Sequence, residues 1–467
     1  MVFSSPTFLF LFLPVVFLLN LLLRRSVRGS NLLLLVASLL FYAWGEPVYV
    51  LLMIGTTLVC WLCALAMERF GGRKKLFCAL AMVWGVGSLV FFKYTDFLIG
   101  SLNTMGGLSL PLAGIALPIG ISFFTFQAMS YVLDVYRGEA NVARNYFDVL
   151  LYISLFPQLI AGPIVRYSDI DAQIHCRVIT LNGVAVGFRR FCFGLGKKVL
   201  LANTLAMTAD AVYALPEASI NAPIAWLGAL SYLLQIYFDF SGYSDMAIGL
   251  GEAFGFTFRE NFLYPYTALS MQDFWRRWHI SLSTWFREYV YIPLGGNRKG
   301  KLRTGVNKLT VFLLTGLWHG ASWNFALWGL YHGGFLMLES YGVLKPDKWP
   351  KILRRVYVVL AVTVGFVLFR AETLPAAWLM IGRMFAGWSF TPALGATLSQ
   401  LVTPLCAIAL LAGAFACTPY AHSLGEWLSA QRPGWAYGVY GTALGLLLLC
   451  ALCLSTASYN PFIYFRF

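Results

Sequence analysis

The chain carries five histidines, and two of them stand where an imidazole could do chemistry. His319 lies in LTVFLLTGLWHGASWNFALWGLYHG, with mostly apolar sequence on both sides. An ionisable side chain at that depth costs about 2.5–3.5 kcal/mol on insertion scales, so its presence asks for a reason. With a reference pKa of about 6.5 an imidazole can take a proton from a hydroxyl at neutral pH, and no other side chain before His332 in this stretch can. Read as one continuous helix, the stretch puts Thr315, Gly316, Ser322 and Trp323 on the face of His319. The spacing of Gly316 and Gly320 lets another helix or a thin substrate come close.

His279 lies in MQDFWRRWHISLSTWFREYVYIPLGGNRKGKLR. Here Phe274, Trp275, Trp278, Leu282, Trp285, Phe286 and Tyr289 mark one helical stripe, and Arg276, His279, Ser283 and Arg287 the opposite one. A Trp-rich amphipathic helix followed by a basic loop fits the cytoplasmic membrane surface, its charges in water. Turned inward, the same stripe brings His279 to His319 and faces Arg276, Arg287 and the Arg298, Lys299, Lys301, Arg303 cluster towards an anionic ligand such as phosphate. His332 lies about 220° around an ideal helix from His319 and is expected to be structural, paired with Glu339. His175 and His422 sit in polar connections. No HExxH or similar pairing is present, so no metal site is expected.

A further polar constellation, YLLQIYFDFSGYSDMAIGLG, carries Gln235, Asp239, Ser241, Ser244 and Asp245. Carboxylates within an apolar span mark either a proton or ion path or the wall of a polar reaction tunnel. Ser322 and Asn324 complete the candidate substrate-lining set, with His279, Asn324 or Gln235 available to polarise a carbonyl or position an acceptor. A GxSxG elbow, a P-loop and a dinucleotide fingerprint are missing, which leaves a serine acyl-enzyme and nucleotide hydrolysis without local support.

The elements that must position these residues follow from composition. Of 467 residues, 59% are hydrophobic and 12% charged, with a mean hydropathy of +0.71. A soluble domain carries about 25% charge, so a soluble protein is excluded and a single polytopic membrane domain spanning 1–467 is expected. The net charge of +14 resides in short loops, which is a topology signal and not a nucleic-acid surface. The nine cysteines lie almost entirely in apolar stretches (Cys60, Cys63, Cys78, Cys192, Cys406, Cys417, Cys450 and Cys453), with Cys176 alone in a polar connection. Neither a disulfide nor a metal site is expected from them.

The opening MVFSSPTFLFLFLPVVFLLNLLLRRSVR has no basic residue before its apolar run and no small-residue cleavage site, and reads as a retained first span. The basic trio Arg24, Arg25 and Arg28 follows, then apolar runs from Asn31 to Trp44 and from Val48 to Met67, then basic sequence to Lys75. Basic loops inside the cytoplasm put the N-terminus outside. Further apolar segments centre near Ile153, Leu200, Leu230, Phe312, Leu327, Val362, Leu410 and Leu446. They predict on the order of ten to twelve spanning or re-entrant helices of about 20 residues.

QIYFDFSGYSDMAIGLG, FWRRWHISLSTWFREYVYIPLGGNRKG, WHGASWNFALWGLYHG and the C-terminal NPFIYFRF, with MVFSSPTFLFLFLP, FYAWGEP and FPQLIAGPIVRYSD, span nearly the whole chain. Together they resemble the membrane-bound O-acyltransferase (MBOAT) superfamily, in its bacterial alginate O-acetyltransferase branch. The resemblance implies an all-α polytopic fold of about eleven transmembrane helices, with re-entrant and interfacial ones, around a central cavity or tunnel. It places the family's catalytic histidine on His319 and the second family position on His279. It implies a cytoplasmic thioester donor such as acetyl-CoA, with no permanently bound cofactor. The acyl group would cross the inner membrane to an extracytoplasmic SGNH-hydrolase-like partner working with polysaccharide export machinery, for O-acetylation of alginate, cellulose or another exopolysaccharide.

The residues fit that chemistry. Acyl transfer needs a base for the hydroxyl proton, support for an oxyanion, and exclusion of water. His319 is the candidate base, and Arg276, Arg298, Lys299 and Arg303 are candidates for the donor phosphates. The competing class is a proton-coupled transporter or flippase of a polysaccharide precursor using Asp239, Asp245 and His319 as a relay. Matched broken helices in two halves, which such carriers often show, are not seen. A membrane glycosyltransferase would want acidic residues in an early outer loop, and the loop near Asp96 is poor in them.

Overall fold

The computed structural model describes residues 1–431, 433–456 and 459–463. The last four residues of the NPFIYFRF motif, 464–467, lie outside them. Every regular element among the described residues is a helix. The chain divides into two compact units, Met1–Phe191 with Ser244–Arg259, and Cys192–Tyr243 with Glu260–Phe467.

In the first unit the expected runs appear as the helices Val27–Ala43 and Tyr49–Arg69. The first starts where Ser26 accepts a hydrogen bond from the Gly29 N–H, satisfying a donor that the helix cannot. Tyr49–Arg69, Lys74–Leu89 and Ile121–Arg137 pack against one another. Gly85 allows the approach, since a Cβ there would press on Met129 and Thr125. The apolar run near Ile153 does not cross as one helix. It forms Tyr146–Ser154, only nine residues, then turns at Leu155 into the short Phe156–Leu159 segment, far below the ~20 residues a bilayer needs.

The second unit holds the long helix Ala222–Ala253 up to Tyr243, the hairpin of Gly300–His319 and Trp323–Ser340, and Lys351–Arg370. The hairpin is the most closely packed pair of elements. Glycine explains why. A Cβ on Gly316 would strike the Phe325 carbonyl, and one on Gly329 the Phe312 carbonyl, so the two backbones touch with no side chain between them. The core of this unit is aromatic, with Tyr237, Phe274, Trp275, Trp278, Trp328, Phe366 and Phe369 all buried.

Among the described residues, four helices are long and apolar enough to cross a bilayer: Tyr49–Arg69, Gly71–Gly106, Lys351–Arg370 and Tyr437–Thr456. The pair Pro392–Leu401 and Pro404–Ala416, bent by 67°, would add a fifth. Fewer helices meet that standard than the sequence leads one to expect, because breaks or buried polar residues interrupt several of the apolar runs. Polarity is also inverted relative to a water-soluble protein. Val83, Leu411 and Leu452 are about two-thirds or more exposed, while Gln235, Asp239 and Lys198 are almost wholly buried. Such surfaces are stable against lipid chains and not against water. The protein is a multi-pass membrane protein.

Candidate active site

His319 is the last residue of its helix, not a mid-helix residue as the sequence suggests. Gly320 is extended, and the next helix begins only at Trp323. Ser322 and Trp323 are therefore not on the His319 face. Ser322 precedes the next helix without capping it, and Trp323 is exposed. The break matters chemically, because the ring leaves its own helix and lodges among aromatic side chains of its neighbours. It meets Trp328 at 5.2 Å and Phe369 at 5.1 Å between centroids, both nearly edge to face.

A small cavity of about 10 Å³ opens beside it, lined by Ile236, Phe240, Trp278, His319, Trp328, Phe366, Phe369 and Ile463. That is room for about one water molecule. His319 is the one titratable side chain in this lining. The lining is mostly apolar and aromatic, so a charge or dipole acting here is poorly screened.

His279 also sits at a break. The expected continuous amphipathic helix is two short helices, Met271–Arg277 and Ile280–Phe286, followed by a π-helical turn at Arg287–Tyr291. His279 occupies the junction with φ 43°, a left-handed conformation that few non-glycine residues adopt. The stripe of Arg276, His279, Ser283 and Arg287 is thereby broken: His279 is buried, whereas Arg276 and Arg287 are exposed. Asn261 holds the junction. Its backbone carbonyl accepts from the Ile280 N–H at 3.0 Å, and its side-chain oxygen from the Ser281 N–H and hydroxyl at 3.1 and 2.9 Å. His279 Nδ1 lies 3.2 Å from that same oxygen, and Nε2 has no hydrogen-bond partner among the described residues. The ring packs on Phe240 at 4.5 Å and on Trp318 at 6.1 Å, and Trp318 in turn meets His319 at 4.9 Å. The two histidines thus share one aromatic neighbourhood, linked through Trp318 and through Phe240 of the cavity wall.

His332 also differs from expectation. Its two ring nitrogens have no hydrogen-bond partner among the described residues, and its ring packs on Trp275 at 5.1 Å and Trp328 at 4.9 Å. The hairpin turn folds the second helix back, so that Trp328 touches both histidines although a straight rod would separate them. Glu339 is occupied elsewhere. It accepts from the Met271 and Gln272 N–H groups, capping that helix start, and from the Tyr357 hydroxyl.

The two carboxylates of the long helix serve as anchors. Asp239 pairs with Lys198 at 2.6 Å and accepts from the Ile463 N–H at 2.9 Å. Asp245, in the first unit, pairs with Arg190 at 2.8 Å. Gln235 and Ser241 are buried, each with a side-chain oxygen that lacks a partner among the described residues. Neither lines the His319 cavity; their neighbours Ile236 and Phe240 do. The Asn324 amide donates to the Ala371 carbonyl at 2.7 Å. His175 is not isolated, lying 3.7 Å from Asp171.

Arg298, Lys299 and Arg303 are exposed, as is Lys301. They lie in or just after a turn with Gly295, Gly296 and Gly300 all at positive φ, tied by Asn307 donating to the Gly296 carbonyl at 2.9 Å. The cysteines are free, and no group of three or more potential metal ligands occurs among the described residues. Sequence reasoning missed Trp328, Asn261 and Lys198. The signal for Lys198 was available, since GLGKKVLLANTLAM sets a lysine pair against an apolar run just as the Asp239 segment sets carboxylates.

Comparison with known proteins bears directly on this site. A family model described as the membrane-bound O-acyltransferase family matches residues 121–343, a range that includes His279, His319 and His332. The chain is 43% identical over the full length of both proteins to one named probable alginate O-acetylase in Pseudomonas putida. It is 37% identical to a peptidoglycan O-acetyltransferase of Helicobacter pylori, over 81% of this chain and 78% of that one. It is 27% identical to a teichoic acid D-alanyltransferase of Bacillus subtilis, over 54% of this chain and 69% of the relative.

Proposed function

The chain belongs to the membrane-bound O-acyltransferase family, in its alginate O-acetyltransferase-like branch, and on that premise we propose that it moves an acetyl group from a cytoplasmic thioester, acetyl-CoA, towards a polysaccharide hydroxyl outside the inner membrane. It is an O-acyltransferase. In the proposed reaction the acceptor hydroxyl oxygen bonds to the acetyl carbon and the thioester C–S bond breaks. His319 takes the hydroxyl proton and returns it to the departing sulfur, so an alcohol and a thioester become an ester and a thiol. Trp328, whose buried indole N–H has no hydrogen-bond partner among the described residues, donates to the oxyanion. His279, held by Asn261, supports the wall through Trp318 and Phe240.

The observation that carries this reading is the placement of His319 at a helix end, on the wall of a cavity lined mainly by aromatic rings. The carrier reading loses support, because Asp239 and Asp245 are each ion-paired with a cation and are not open relay groups. Arg276, Arg298, Lys299 and Arg303 would meet the donor phosphates at the cytoplasmic mouth, with the N-terminus on the outer side. An exported glycan, alginate-like in the nearest reading of the relatives' names, is the final acceptor, reached with an SGNH-hydrolase-like partner and export machinery.

The purified protein in vesicles, given acetyl-labelled CoA, should transfer label to an acceptor or release it by hydrolysis, and His319→Ala should abolish this while the protein still inserts. Undiminished acetyl transfer by a normally inserted His319→Ala protein refutes the base assignment, and movement of a glycan without any acetyl chemistry restores the carrier.

A further inference from the structure

One wall of the His319 cavity comes from a distant part of the chain. Seven of the lining residues lie between Ile236 and Phe369, on helices or at their breaks, and the eighth is Ile463. Ile463 belongs to a segment, residues 459–463, that is fastened at nearly every position. Tyr459 donates to Asp210 at 2.6 Å, Asn203 donates to Asn460 at 3.1 Å, and Lys198 donates to the Pro461 carbonyl. The Phe462 ring packs on Tyr243 at 5.1 Å and lies 5.6 Å from the Lys198 ammonium. The Ile463 N–H donates to Asp239, the same carboxylate that pairs with Lys198.

Apolar contact alone would let such a strap slide by a residue. Directional hydrogen bonds to a buried ion pair select which side chain faces the cavity, and that side chain is Ile463. Burying both charges is costly, which suits a role in setting register better than one in bulk stability. The other walls are six rings and the aliphatic Ile236, carried on helices or at their breaks in a close-packed core that cannot retract without repacking. Ile463 is thus the wall that can be trimmed with the least disturbance.

We propose that Ile463 determines the length of the acyl group transferred, limiting it to two carbons, an inference that rests on the acetyl-transfer reading above. The chemistry is the same for any chain length: the acceptor oxygen gains the acyl carbon, the thioester sulfur leaves with the proton, and only the tail beyond the carbonyl must fit. The cavity has room for about one water-sized group, which is the scale of a methyl group. A pocket that discriminates by one methylene does so by about 10–200-fold.

The test is a competition between labelled acetyl-CoA and butyryl-CoA for the full-length protein in vesicles. Ile463→Ala should raise the ratio of butyryl to acetyl transfer by at least about tenfold, Ile463→Val should raise it less, and Ile463→Phe should lower transfer of both with butyryl affected more. An unchanged ratio in Ile463→Ala overturns the proposal. Should Ile463→Ala prove inactive or fail to insert, Ile463→Val, which removes a single methylene, decides: a ratio equal to that of the wild type overturns it. Failure of the wild-type protein to transfer either acyl group would instead bring down the acyltransfer reading itself.

Discussion

The side-chain oxygen of Asn261 lies 3.2 Å from Nδ1 of His279 and binds Ser281 through both its N–H and its hydroxyl. A single amide therefore sets both the backbone turn at His279 and the orientation of the ring. Replacing Asn261 by Ala strands several buried groups at once, at about 1–3 kcal/mol for each unsatisfied one. Asn261→Ala should lower the heat stability of the detergent-solubilised protein and reduce activity together. Asparagine tolerates the left-handed region and a β-branched residue does not, so His279→Asn should melt near the wild type and His279→Val well below it.

Trp328 touches His319 and His332 and lines the cavity. A donor that acts only on the oxyanion affects the chemical step and not substrate binding. Trp328→Phe, which keeps the aromatic bulk and removes the N–H, should lower kcat about 10²-fold with little change in KM. An equal loss through KM alone would mean that the ring only packs.

The Lys198–Asp239 pair is buried, with each side chain under 5% exposed. Removing one partner from such a pair costs about 3–5 kcal/mol because the other charge is left uncompensated. Lys198→Met should therefore be strongly destabilising in a thermal denaturation assay. Adding Asp239→Asn should recover much of the loss, since a neutral amide still accepts from the Ile463 N–H. A double variant no more stable than the single one would show that the pair is not coupled in this way.

Arg298, Lys299 and Arg303 stand exposed in or just after a turn that glycines and Asn307 hold in shape. If they meet the donor phosphates, changing all three to Gln should raise KM for acetyl-CoA while leaving kcat nearly intact, and should weaken its dependence on salt. Acetyl-pantetheine, which lacks those phosphates, should be used equally well by both proteins. An equal effect on both donors would assign the cluster to topology alone.

Much of this protein is legible from composition and local pattern. The membrane class and the helical class follow from hydropathy, a property of short windows of sequence, and the cost of an imidazole in an apolar span is what draws attention to the WHGASWNFALWGLYHG segment. The breaks at His279 and His319 are not legible in that way. Periodicity continues smoothly through FWRRWHISLSTWF, and only the reach of Asn261, eighteen residues earlier, makes a left-handed turn there favourable. Likewise His319 and His332 look separated on a straight helix, until contact between glycine backbones folds the hairpin and puts Trp328 beside both. The carboxylate of Asp239 shows the same limit most clearly. Its depth in an apolar helix announces a buried charge, but whether that charge carries protons or ties down a strap depends on Lys198 and Ile463, residues brought to it from 41 positions before and 224 after. Local physics decides what each segment must be, and only long-range packing decides which side chains share the cavity and which are occupied in holding it together.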